Sequence, residues 1–150
     1  MHSLFSVSEL RAKWSSPPPK PGNLPSIYSS QDIFEVIFPL WEDIDMYESF
    51  WVVLLNNSNR ILGISKISSG GINSTVVDPK LILQRALISN SAAFVCVHNH
   101  PSGRLKPSDA DEKLTRKIKL ASAFLDMKFL DHLIITPDMT YFSFADEGII

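Results

Sequence analysis

A short β-favouring apolar run, Ala92-Ala93-Phe94-Val95-Cys96-Val97, opens directly into His98-Asn99-His100-Pro101-Ser102-Gly103, and this junction constrains the chain more than any other stretch. The run reads as a buried strand because it is short and rich in residues that favour a pleated surface. In an extended chain residues i and i+2 point to the same side, so His98 and His100 at the strand's end can aim both imidazoles at one place. Pro101, Gly103 and Pro107 then forbid regular structure and turn the chain. From Ser108 the pattern is helical, and residues three apart share a face there, which puts Ser108 and Asp111 together on the first turn.

Two neutral imidazole nitrogens and one carboxylate oxygen, from His98, His100 and Asp111, make a three-ligand set. It leaves a fourth tetrahedral position for water, as in catalytic rather than structural zinc sites. Ser108-x-x-Asp111 also fits a capping box, in which both side chains only satisfy helix N-terminal amides. A capping box has no need of two histidines ten residues upstream, so the metal reading rests on the order of the whole stretch.

His98-x-His100, seven residues, Ser108, two residues and Asp111 resembles the JAMM (MPN-plus) metalloprotease motif. The fuller string His98-Asn99-His100-Pro101-Ser102-Gly103, with Pro107-Ser108, Asp111 and the downstream Leu130-Asp131-His132, is similar to the RadC branch of that group. The likeness runs from about Ser29 to Ile150 and takes in Glu48-Ser49-Phe50, Gly70-Gly71 and Ser143-Phe144-Ala145-Asp146-Glu147-Gly148. It implies a JAB1/MPN architecture, related in topology to cytidine deaminases, with Zn2+ bound by His98, His100 and Asp111. It further implies Glu48 as general acid/base and Ser108 as hydrogen-bond partner of the tetrahedral intermediate. The chemistry implied is hydrolysis of an amide in a peptide or an isopeptide-linked protein. Spacing alone does not select Glu48, fifty positions before His98; Glu42, Asp43 and Asp45 compete with it, and an exposed acidic loop accounts for all four.

At 150 residues, 45% hydrophobic and 20% charged, the chain has the composition of a single soluble globular domain able to bury a core. Fourteen basic against sixteen acidic residues give −2, so no global positive field drives nucleic-acid binding, and any such contact must be local. Longer RadC relatives carry a helix-hairpin-helix domain ahead of this region, and 150 residues leave no room for one. Cys96 is a single cysteine inside an apolar strand and reads as a packed core residue. With neither a signal-peptide pattern at Met1 to Phe5 nor an apolar run of membrane-spanning length, the expectation is a cytoplasmic protein with no membrane segment.

Residues 1–28 read as a Pro-rich arm: Phe5 to Trp14 suits a short helix or a segment packed on a neighbouring subunit, and Ser15 to Gly22 is extended and partly polyproline-like. The folded domain spans 29–150, and its elements predict an α/β fold, a mixed β-sheet flanked by helices. Ser29-Ser30-Gln31-Asp32 caps a helix that Pro39 ends or kinks. Phe50–Leu55 and Arg60–Ile67 form a hairpin, and Asn73–Val77 offers a further short strand. Asp78-Pro79 starts a second helix, and a third runs from 108 to about 126. Phe129–Thr136 and Tyr141–Phe144 close the sheet. Exposed hairpin edges offer a surface for a homo-oligomer.

Lys113, Arg116 and Lys117 lie at helical spacing, with Arg104 and Lys106 in the loop before them. They read as a solvated face or as a basic rim that grips an acidic peptide or phosphates. His132 is either a structural hydrogen-bonded histidine or a second-layer or substrate group, with Asp131 as a candidate orienting carboxylate. The leading function is a zinc metallopeptidase or isopeptidase-like hydrolase. The alternatives are a DNA-repair-associated protein and a binding module that keeps metal without peptidase activity. A deaminase-type zinc site is disfavoured because His-x-Glu and Pro-Cys-x-x-Cys are missing.

Overall fold

The computed structural model describes residues 25–70 and 76–150, together with Lys13. The expected elements of the arm before residue 25, and most of the short strand expected at 73–77, lie outside the described residues; Val76 and Val77 carry no regular structure.

Helix α1, Ser30–Ile37, begins with a capping box in which the Ser29 hydroxyl accepts from Asp32 N–H and Asp32 accepts from Ser29 N–H. Pro39 stops it, and the chain continues as a 3-10 turn over Phe38–Leu40. Strands β1, Ser49–Leu55, and β2, Ile61–Ser69, form the hairpin. Helix α2, Pro79–Ile88, has Asp78 as its cap and proline at its first position. Strand β3, Ala93–Asn99, is buried along its whole length. Helix α3, Asp109–Phe124, leads to β4, Lys128–Ile135, and the short β5, Tyr141–Ser143.

The five strands lie in the order β2-β1-β3-β4-β5. The β3–β4 pair is parallel, connected through α3, and the other pairs are antiparallel, so this is a mixed α/β sheet. Side chains alternate along a strand, which splits the core in two. Val53, Leu55, Val95, Val97, Leu133 and Ile135 face Ile33, Phe34 and Ile37 of α1. Phe50, Val52, Leu54, Phe94 and Cys96 face Ile82 and Ala86 of α2 and Ile118 of α3. A central strand covered on both faces can be apolar throughout, and β3 is apolar from Ala93 to Val97 before it ends in His98 and Asn99. Cys96 is fully buried in the second layer, and burial pushes its thiol up out of the reactive range.

Pro25 to Ile27, assigned to the arm by sequence, lie along the hairpin: Ser26 bridges Arg60, Ile27 N–H donates to Asn59 O at 2.8 Å, and Ile27 is buried against the α1 layer.

Candidate metal centre

The site forms where β3 runs out of the sheet. In the antiparallel β1–β3 pair Phe50 lies opposite His98. One step back on β1 is one step forward on β3, so Glu48 falls beside His100, fifty-two residues away in sequence. Register, rather than any local spacing, brings the acidic group to the imidazoles. Glu48 Oε1 is 3.9 Å from His100 Nε2, and Glu48, His98 and His100 offer ligand atoms within 4.8 Å of one another. Of the other acidic residues in the same loop, Glu42 and Asp43 line a separate 190 Å³ cleft with Trp41, Tyr47 and Trp51, and Asp45 is exposed.

Asn99 fixes that loop. Its side chain is buried between the two histidines in sequence but on the opposite face of β3. There it accepts from Ser49 N–H at 2.7 Å and donates to the carbonyls of Ile44 and Tyr47 at 2.7 and 2.8 Å. Gly70 N–H also donates to Glu48 O at 2.8 Å. Substituting Asn99→Asp keeps the shape but sets a carboxylate oxygen against two carbonyls. The expected result is a loss of about 2–4 kcal/mol in denaturant unfolding, with any Glu48-dependent turnover falling while bound metal is retained.

Asp111 closes the site from α3. The capping box is formed: Ser108 Oγ accepts from Asp111 N–H at 3.1 Å, and Asp111 Oδ2 accepts from Ser108 N–H at 2.7 Å and from the Ser108 hydroxyl at 2.6 Å. The cap and the site are therefore compatible, because holding Oδ2 leaves Oδ1 3.2 Å from His98 Nε2. Oδ2 is 3.5 Å from His100 Nε2, and the two Nε2 atoms are 3.0 Å apart.

The hydrogen-bond partners decide which nitrogens carry protons. His100 Nδ1 faces the Arg104 carbonyl at 2.6 Å, so it must be the N–H and Nε2 carries a lone pair. Thr115 spends its single hydroxyl proton on Asp111 O at 2.7 Å, so His132 Nδ1, 2.6 Å from Thr115 Oγ1, must donate. His132 is wholly buried, and burial holds its pKa well below the ordinary value, so it is neutral and its Nε2 accepts. His98 Nδ1, 2.8 Å away, is then the donor, which turns His98 Nε2 toward His100 and Asp111.

Two imidazole Nε2 atoms and a carboxylate thus converge, each ring turning its Nδ1 N–H to a partner outside the cluster. Such a set can share a cation. The proton is one way to supply it: burial alone lowers the His100 pKa, but Asp111, the Arg104 carbonyl and Glu48 outweigh it and raise the value. Burial likewise raises the Asp111 pKa, while the imidazoles and Ser108 overcome it and hold the carboxyl far below its usual range. A metal ion is the other way. The 3.0 Å between the two Nε2 atoms and the 3.2 Å from His98 Nε2 to Asp111 Oδ1 lie close to the ~3.3 Å expected between donors around a tetrahedral ion ~2.0 Å from each, while the 3.5 Å approach of His100 Nε2 is to the other carboxylate oxygen, Oδ2.

His132 sits behind the metal-facing pair, one layer down on β4, opposite Cys96. Its ring partners are His98 and Thr115. Asp131 faces the other way, where it accepts from Ser143 Oγ at 2.6 Å, from Ala145 N–H at 2.9 Å and from the His132 backbone N–H at 2.7 Å, so it holds the C-terminal turn and the strand backbone rather than the His132 ring. Removing the ring in His132→Ala leaves the His98 N–H without its acceptor, and Thr115 Oγ1 without its donor, in a buried space. A cost of about 2–4 kcal/mol in unfolding is expected, with metal affinity 10- to 100-fold weaker by titration. No part is assigned from sequence to Asn99 or Thr115. The available signal at Asn99 is an amide ending a strand that is apolar up to Val97, and at Thr115 a hydroxyl beside the buried stripe of α3.

A cleft of about 620 Å³ opens over the centre, lined by Glu48, His100, Ser102, Arg104, Lys106 and Ser108 among others. Lys113, Arg116 and Lys117 are exposed on α3 outside it. No helix among the described residues is long and apolar enough to cross a membrane.

A mixed five-stranded α/β domain thus carries, at the end of its central strand, a cluster of Glu48, His98 and His100 able to hold a metal ion. The family model for the RadC-like JAB domain matches residues 27–149, and the chain belongs to that family. It is 46% identical over 126 residues to a UPF0758 protein of Flavobacterium johnsoniae, which covers 84% of this chain and 54% of the relative. A UPF0758 protein of Porphyromonas gingivalis is 40% identical over 125 residues, 83% of this chain and 55% of the relative. The chain spans about half the length of these curated relatives.

Proposed function

We propose that this chain is a zinc-dependent metallopeptidase or isopeptidase-like hydrolase that cuts an amide bond. The observation that carries the reading is the convergence of His98 Nε2, His100 Nε2 and the Asp111 carboxylate beside a cleft that Glu48 lines. These three residues would hold the ion. Imidazole and carboxylate donors suit zinc, and ligand chemistry rather than affinity order is the ground for preferring it. When bound, zinc lowers the pKa of a water toward ~7 and polarises a carbonyl.

Glu48 takes the proton from the attacking water and delivers it to the nitrogen of the leaving amine. His132 and Thr115 keep His98 in the tautomer that leaves Nε2 free to ligate. Ser108 stands on the cleft wall and in this reading turns its O–H from Asp111 toward the substrate oxygen, while Ser108 N–H keeps hold of Oδ2. Ser108→Ala is expected to lose about 1 kcal/mol of stability with the cap and to lower kcat, with metal content unchanged by elemental analysis.

The reading is tested by screening peptide and isopeptide substrates with a chelator as control. Cleavage abolished by the chelator and restored by zinc supports it. Cleavage that survives metal removal contradicts it. A zinc-loaded protein that cuts nothing in the screen favours the metal-holding binding module, and a salt-dependent gel shift would favour a nucleic-acid role.

A further inference from the structure

Two cationic side chains stand in the wall of the cleft without a charge partner. Arg104 and Lys106 are exposed, and neither forms an ion pair among the described residues. Their placement is fixed by the site itself. Gly103, at φ +78°, turns the chain, its N–H donates to His100 O at 3.0 Å, and Arg104 O accepts from the His100 ring at 2.6 Å. The hydrogen bond that sets the His100 tautomer therefore anchors Arg104 one imidazole away from the converging nitrogens.

The same lining holds two carboxylates, Glu48 and Asp109. Glu48 lies against His100 and belongs to the reaction centre, which leaves two positive charges against Asp109 at the mouth. Resting on the hydrolase reading above, we propose that Arg104 and Lys106 form a subsite selecting a peptide with a carboxylate side chain close to the amide to be cut. The guanidinium offers a planar fork matched to a carboxylate, and Lys106 adds a point charge beside it. A nucleic-acid backbone is gripped through many phosphate contacts. Here it meets two cations, a carboxylate and a chain of net charge −2.

The test is fluorescence anisotropy on the full chain with zinc present, using two peptides of equal length with an uncharged fluorophore, one carrying glutamates around a central amide and the other glutamines. The glutamate peptide is expected to bind about ten-fold tighter at ~10 mM salt, each ion pair being part-exposed and modest. The difference is expected to vanish near 1 M salt, where the screening length is ~3 Å. Arg104→Glu/Lys106→Glu is expected to turn the preference toward a lysine-bearing peptide at unchanged metal content. Equal or absent binding of the two peptides, or a preference unchanged in the double variant, would overturn the proposal. So would a single-stranded oligonucleotide that displaces the glutamate peptide at lower concentration than unlabelled peptide does, because it assigns the cations to phosphate. The two readings fail separately: acidic preference in a protein that cleaves nothing removes the hydrolase and keeps the subsite, and cleavage indifferent to charge does the reverse.

Discussion

Replacing both His98 and His100 with alanine is expected to take the protein from about one metal ion per chain to none. Each ring turns its Nδ1 to a partner outside the cluster and offers Nε2 to an ion, and Asp111 alone is a single carboxylate donor with one oxygen held by the cap. An ion that binds the folded chain and not the unfolded one stabilises it by about 2.7 kcal/mol at a hundred times its dissociation constant. Zinc should therefore raise the Tm of the natural protein and leave that of the variant unmoved. His98 is buried against Phe50 and His132, so its loss also disturbs packing. His100→Ala alone separates the two effects, since the His100 side chain is 13% exposed against 2% for His98: metal is expected to fall steeply while the circular dichroism spectrum holds. Full metal content in His100→Ala would remove that residue from the ligand set.

The second large effect is at Glu48. Glu48→Gln keeps the side chain's size and its ability to accept a hydrogen bond but cannot take a proton. Turnover is expected to fall about 100- to 10,000-fold, the range associated with a positioned general base, with metal stoichiometry unchanged. Loss of activity together with loss of metal would instead make Glu48 a ligand, which its 3.9 Å approach to His100 Nε2 permits geometrically. Undiminished turnover would move the proton transfer to another group.

Local chemistry made most of the fold legible. The Ser29 and Ser108 caps, the Asp78-Pro79 start, the hairpin and the buried strand at 93 are set by neighbours a few residues apart, and each lies within one or two residues of its expected place. Pro39 was open between an end and a kink, and the structure resolves it as a 3-10 turn. His98, His100, Ser108 and Asp111 could be grouped because one strand end and one helix start carry them. Glu48 could not be grouped that way, since its place beside His100 follows from the register of β1 on β3. His132 remained open for the same reason: the ring partners that decide its role come from β3 and α3, and its sequence neighbour Asp131 points to the opposite face. Asn99 carries no periodic signal, because an amide that satisfies three backbone groups fifty residues away leaves no trace in spacing.

Stability should also carry the mark of His132. Its folded pKa is depressed by burial from 6.5, so below about that pH the unfolded chain binds a proton that the folded chain refuses. Stability is then fully present above the unfolded value and falls as the pH drops through it. A pH series of urea midpoints reads that slope, which is expected to flatten in His132→Ala.

The most direct measurement is elemental analysis of the purified, untagged protein at known concentration, after zinc has been supplied and the excess removed. About one zinc per chain is the expected result, since two imidazole Nε2 atoms 3.0 Å apart and a carboxylate within 3.2 to 3.5 Å of them offer it three ligands. No bound metal under those conditions would contradict the site: the cluster would then hold a proton, and the hydrolase reading would fall with it.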